Sequence, residues 1–85
     1  MDIKEMTIKM LKNNLSEALR STGKSAKEIS KLTGLNYTAV LSYINGTNFP
    51  YIKNFDILVK TLGLDEYKIM NVDAVNDIID KQKKK

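Results

Sequence analysis

The sequence predicts an all-α domain, and three observations carry that expectation. Apolar residues recur at steps of three and four along several stretches, which lines them on one face of a helix. Helix-start residues stand at the head of three of these stretches: Ser25, Asn36 and Asp65. Glycines stand where stretches stop, at Gly23, Gly34, Gly46 and Gly63, and the chain has no polar–apolar alternation of the kind a half-buried strand shows.

The first helix is expected over residues 3–20, with Ile3, Met6, Met10, Leu11, Leu15, Ala18 and Leu19 on one face. Asp2 and Glu5 have the spacing of a capping box. Asn13 and Asn14 interrupt the pattern, but one continuous helix fits it best, with the first ten residues least defined. Ser21-Thr22-Gly23 ends it. Helix 2 starts at Ser25, where Glu28 three residues on completes a second capping box. Its apolar stripe is Ala26, Ile29 and Leu32; Gly34 stops it, and Leu35 follows as an apolar plug.

Asn36 caps helix 3, which runs to Ile44 or Asn45. Val40 and Tyr43 fall on its inner face, Leu41 and Ile44 beside them, and Tyr37, Thr38 and Ser42 outward. Asn45-Gly46-Thr47-Asn48 has the composition of a turn, and Pro50 suits the approach to a helix. Helix 4 covers about residues 52–62, with Ile52, Phe55, Leu58, Val59 and Leu62 inward, and Gly63 ends it. Asp65 caps a short fifth helix, Glu66 to Met70, that buries Ile69 and Tyr67. Residues 71–80 are expected to form a further short amphipathic helix for packing or dimerisation, with Val72, Val75, Ile78 and Ile79 opposite Asp73, Asp77 and Asp80. Residues 81–85 are expected to be a disordered lysine-rich tail. Residues 1–70 thus constitute one domain.

Eighty-five residues suffice for one core, and a core of that size leaves a thin stability margin that a partner subunit would raise. There is no cysteine and no histidine. Disulfides are excluded, and a zinc site would have to be built from carboxylates alone. The commonest general base and the best nucleophile are also missing, and no carboxylate pair has useful spacing. The expectation is a protein without cofactor or metal that is not an enzyme. No apolar run approaches the roughly 20 residues that span a membrane, and the charged N-terminus lacks the apolar block of a signal peptide, which predicts a cytoplasmic protein.

The net charge of +4 is unevenly spread. Residues 1–60 hold nine Lys/Arg against five acids; residues 65–80 hold five acids against Lys68 alone; four lysines then close the chain. The half with the two capped helices is basic, which suits a polyanion, although a solvated surface accounts for a charge of this size almost as well.

The register from SAKEISKLTGLN (Ser25 to Asn36) through VLSYING (Val40 to Gly46), then Pro50, the I-x-x-F-x-x-L-V-K-T-L-G-L run to Leu64 and the short helix after Asp65, resembles the Cro/repressor-type (XRE-like, lambda-repressor-like) DNA-binding domain. The likeness spans roughly residues 11–70 and implies a five-helix domain containing a helix-turn-helix. It implies a dimer that binds double-stranded DNA at an inverted repeat, with helix 3 in the major groove. Carried over position by position, Tyr37 and Thr38 would touch base edges, with Ser42 one turn on; the hydroxyls can donate or accept, and the Thr38 methyl can meet that of thymine. Phosphate contacts would come from Ser25 and Lys27 at the start of helix 2, from the cap Asn36, and from Asn45, Thr47, Asn48, Lys53 and Asn54 around the end of helix 3. With about four to six phosphates contacted per subunit, binding would weaken steeply with salt.

Two departures from the family pattern matter. Many members carry a glutamine second in helix 2 that braces a phosphate and a base-reading side chain; Ala26 stands there and can do neither. Many pair an arginine near the end of helix 1 with an acid near the end of helix 3; Leu19 and Ile44 occupy the matching positions and are expected to touch. An apolar pair in place of an ion pair can be neutral or stabilising. Helix 3 has no basic residue, which removes arginine-to-guanine readout and favours A·T-rich sequence. The function implied is a sequence-specific transcriptional regulator, a dimeric repressor of phage or mobile-element type, switched by dissociation, turnover or a protein antagonist. The competing expectation is a helical protein-interaction module, antitoxin-like or an inhibitor, that uses the same fold and docks through Leu41 and the apolar faces of residues 3–10 and 72–79.

Overall fold

A computed structural model describes residues 3–70. Five helices follow one another: α1 (Ile3–Ser21), α2 (Ala26–Thr33), α3 (Tyr37–Ile44), α4 (Ile52–Leu62) and α5 (Glu66–Ile69). The described residues contain no strand, so the all-α expectation holds. The Asp2 cap, the helix expected within 71–80 and the tail at 81–85 lie outside them.

The core is small. Leu15 and Leu19 of α1, Ile29 of α2, Val40 and Tyr43 of α3, Phe55 and Leu58 of α4 and Ile69 of α5 are all buried and form one cluster. Each helix therefore sends one or two side chains to a common centre, as a set of short amphipathic helices must if none can bury its stripe alone. Half-buried Ala18, Ala26, Leu35, Ala39, Ile44, Phe49, Val59, Leu62 and Leu64 pack around it. Burial in α1 is confined to Leu15, Ser16 and Leu19. Ile3, Met6, Met10 and Leu11 are only half-buried, and no break occurs at Asn13-Asn14.

Three apolar side chains expected inside are outside. Leu32 is 55% exposed. The inward arc of α2 runs through Ala26, Ile29 and Thr33, and at about 100° per residue Leu32 swings clear of it. Ile52 is 77% exposed because it opens α4 at the margin of the arc that Phe55, Leu58 and Leu62 define. Tyr67 is 81% exposed: it stands two residues before Ile69, roughly 200° around α5, so burying one turns the other to solvent.

The two positions expected to touch, Leu19 and Ile44, both belong to the packing of the core. Leu19 is fully buried, and Ile44 packs against the cluster to which it belongs. The same junction is also held by polar groups that the pattern of apolar residues does not announce. The Ser16 hydroxyl and Arg20 Nε (3.3 Å) both donate to the Ile44 carbonyl, one of the last carbonyls of α3. Asn14 Nδ2 likewise donates to the Ile69 carbonyl at 3.0 Å, tying α5 to α1. No buried side-chain nitrogen or oxygen among the described residues lacks a hydrogen bond, as a core of this size requires, since each such orphan costs about 1–3 kcal/mol.

Candidate functional site

The α2–α3 unit is specified locally at each joint. Ser25 Oγ accepts the Glu28 N–H at 3.1 Å, and Glu28 Oε1 accepts the Ser25 N–H at 3.3 Å, so the capping box forms as the spacing predicts. Asn36 Oδ1 accepts the Ala39 N–H at 3.2 Å and starts α3. Between the helices Gly34 adopts φ +76°, where an L side chain would be strained although the space is open. Hydroxyls of α2 stitch the turn that follows. Thr33 Oγ1 donates to the Ile29 carbonyl (2.7 Å) and accepts the Leu35 N–H (3.2 Å), while Ser30 Oγ donates to the Leu35 carbonyl (2.6 Å). Leu35 is thereby held against the core. Ser30 and Thr33 carry no signature in the apolar pattern; the clue to them is a hydroxyl in the last turn of a helix ahead of a glycine.

This frame buries Val40 and Tyr43 and turns the other side of α3 outward. At about 100° per residue, Tyr37, Leu41 and Asn45 form one stripe, with Thr38 and Ser42 in the next. Tyr37 is 49% and Leu41 36% exposed, and Thr38 and Asn45 are exposed as well. The three candidate base-contact residues thus share one outward region, but Ser42 differs from the others. It is half-buried, and its hydroxyl donates to the Ala39 carbonyl at 2.6 Å, so only its acceptor side is left for a partner.

The candidate phosphate contacts fall into three groups. At the start of α2, the capping box uses the amides of Ser25 and Glu28, leaving those of Ala26 and Lys27 beside the exposed Lys24 and Lys27 side chains. Asn36 spends its carbonyl oxygen on the cap and keeps its amide NH2 at the surface. Beyond α3, Asn45, Thr47 and Asn48 are exposed on a turn in which the Ser42 carbonyl accepts from the amides of Thr47 (3.0 Å) and Asn48 (3.4 Å) and from Thr47 Oγ1 (3.1 Å). Gly46 in that turn has φ +74° and lies close to Asn13 and Ser16 of α1. Phe49, stacked on Phe55 with ring centroids 5.4 Å apart, and buried Pro50 then carry the chain to α4. Tyr51 begins α4 without a side-chain cap, so the amides of Ile52, Lys53 and Asn54 have no capping acceptor. Lys53 is exposed and Asn54 half-buried.

Charge follows the same geography. Residues 24–54 carry Lys24, Lys27, Lys31 and Lys53 against Glu28 alone, and Glu28 is engaged by the capping box. None of these lysines is ion-paired with a described residue; the ion pair among described residues joins Lys60 to Asp56 at 3.0 Å, one turn apart on α4. A groove of about 390 Å³ between α1 and the α4–α5 turn, bounded by Asn14, Glu17, Ala18, Leu62, Asp65 and Lys68, includes no residue of α2 or α3. No described helix is long and apolar enough to cross a membrane.

No model of a protein family, no curated protein and no solved structure matches the chain.

Proposed function

We propose that this chain is a sequence-specific double-stranded DNA-binding regulator of the Cro/repressor type, acting as a dimeric repressor, with α2 and α3 as its helix-turn-helix. One observation carries the reading most directly. A helix capped at its start and braced on its inner side presents an outward face with no charge of its own, within a stretch holding four lysines and one internally engaged acid. A helix presented in that way suits a major groove, and lysines that no described acid engages suit the phosphates on either side. In this reading Tyr37 and Thr38 approach base edges, with Ser42 as acceptor only. Ser25, Lys27, Asn36, Asn45, Thr47, Asn48, Lys53 and Asn54 hold the backbone. The uncapped amides at the start of α4 support the roles of Lys53 and Asn54, because unsatisfied N–H groups at a helix start favour an anion.

A second reading, the protein-interaction module, is favoured by a different observation. Leu32, Tyr51, Ile52, Tyr67 and Met70 are large apolar side chains left exposed, and exposed apolar side chains of this size are what a partner surface is built from. Selection from a random duplex pool at moderate salt separates the two. Enrichment of an inverted repeat with half-sites about 34 Å apart, bound with affinity that falls steeply as salt rises, is the expected result. Failure to enrich any duplex, together with a tight complex with a protein, would overturn the regulator reading.

A further inference from the structure

We infer that α3 recognises the 5-methyl groups of thymine through an apolar stripe formed by Tyr37 and Leu41, with the Thr38 methyl beside it. This assigns Leu41 a specificity role and names a thymine-containing half-site as the ligand; it rests on the DNA-binding reading above.

The argument is one of elimination among the groups α3 can offer. Bidentate hydrogen bonding to guanine requires Arg or Lys, and to adenine Asn or Gln. Tyr37–Ile44 contains none of these four residue types. The Ser42 hydroxyl proton is committed to the Ala39 carbonyl, and the Asn36 carbonyl oxygen to the Ala39 amide. The position next to the cap of α2 is Ala26, half-buried and without a polar group to lend. What remains outward within Tyr37–Ile44 is the Tyr37 ring with its hydroxyl, Thr38, and Leu41 one turn beyond Tyr37; Asn45, next in that stripe, is the C-cap at the far end of the helix, where this reading gives it a phosphate.

An exposed leucine is ordinary by itself. Leu41, however, continues the exposed side of Tyr37 at a spacing of four, so the two side chains form one surface. In the major groove the thymine methyl is the apolar feature that distinguishes one natural base from the other three. The charge around the helix fits a nucleic acid better than an apolar protein partner: Lys24, Lys27, Lys31 and Lys53 lie in the flanking segments against the single acid Glu28.

The test uses the full chain and duplexes enriched by selection, made once with thymine and once with deoxyuridine, which pairs identically and lacks only the methyl. Affinity is measured by fluorescence anisotropy. Replacing thymine in both half-sites is expected to weaken binding about three- to fourfold for each contacted methyl. The Leu41→Ala chain is expected to bind the two duplexes with more nearly equal affinity than the parent does. Equal binding of both duplexes by the parent chain, or enriched half-sites without thymine, overturns methyl recognition while leaving DNA binding standing. Absence of binding to any duplex overturns both. Since the nucleotide change leaves the protein untouched, a folding defect in the variant cannot mimic the first result.

Discussion

The α2–α3 unit and the start of α4 solve the same problem in opposite ways. A helix start leaves backbone amides without partners, and a side chain or an outside group must meet them. In α2 and α3 the chain meets part of them itself, through Ser25 with Glu28 and through Asn36. At α4 it does not: Tyr51 stands at the cap position with no side-chain hydrogen bond, and both Tyr51 and Ile52 are turned to solvent. The first region has its geometry written into local sequence. The second is held by the packing of Phe49, Pro50 and Phe55 behind it, and its first turn keeps groups that an external partner can satisfy.

That contrast is sharpest in two isoleucines. Ile29 of α2 is fully buried, and Ile52 of α4 is 77% exposed. Ile29→Ala is expected to lower unfolding free energy by about 2–5 kcal/mol, the range for truncating a buried aliphatic side chain. Ile52→Ala should stay within about 0.5 kcal/mol, as surface changes do. Urea denaturation of both variants checks the pair; a comparable loss from Ile52→Ala would show that the start of α4 is packed rather than presented. A smaller effect is expected at the corner of the first region. Gly34→Ala forces an L side chain to φ +76°, where the strain is about 1–2 kcal/mol although no atom lies in the way. The same urea experiment measures it, and a neutral result would mean that the turn relaxes instead of being held by Ser30 and Thr33.

Legibility in the sequence divides along the same line. The starts of α2, α3 and α5 and the stops of α2 and α4 could be read because each is marked by a residue that acts on its own backbone: Ser25, Asn36 and Asp65 as caps, and Gly34 and Gly63 in left-handed conformation. The outward placement of Tyr37 and Thr38 followed from the period of the helix once Val40 was inside. Leu32, Ile52 and Tyr67 were misplaced because a stripe drawn through apolar residues cannot show how wide an arc the neighbouring helices will cover. The hydrogen bonds from Ser16 and Arg20 to Ile44, and from Asn14 to Ile69, join residues 24 to 55 positions apart. No local pattern encodes such pairs. At the candidate site, the loss of the Ser42 donor to the Ala39 carbonyl depends on a rotamer, which spacing does not determine.

Exchanging cap chemistry between the two regions gives the next effect in size. Ser25→Ala removes the acceptor for the Glu28 amide and one half of the capping box, and should cost about 1 kcal/mol. Tyr51 has φ −60° and ψ 158°, an extended cap conformation like that of Ser25 at −74° and 163°. Tyr51→Ser therefore supplies the missing acceptor without moving the backbone, and should raise stability by up to about 1 kcal/mol. Thermal unfolding of the two variants beside the parent tests both signs. If Tyr51→Ser destabilises the chain, the tyrosine contributes packing that its 87% exposure does not suggest, and the contrast between a closed and an open helix start fails.

The smallest effect belongs to the Lys60–Asp56 ion pair. Its geometry is good, with 3.0 Å between Nζ and Oδ2 one turn apart on α4, but the two side chains are 76% and 55% exposed. Water and salt screen a pair in that position, and ordering two long side chains offsets much of the attraction, so Lys60→Ala should change stability by no more than about 0.5 kcal/mol. The aspartate precedes the lysine by four, the favourable direction along a helix, and the lysine lies in the last turn of α4, where a cation also meets the negative end of the helix dipole. Denaturation at low and at high salt distinguishes these contributions from any packing by the lysine stem. A loss that shrinks as salt rises identifies electrostatics, whereas a loss that salt leaves unchanged assigns the role to the methylenes of Lys60.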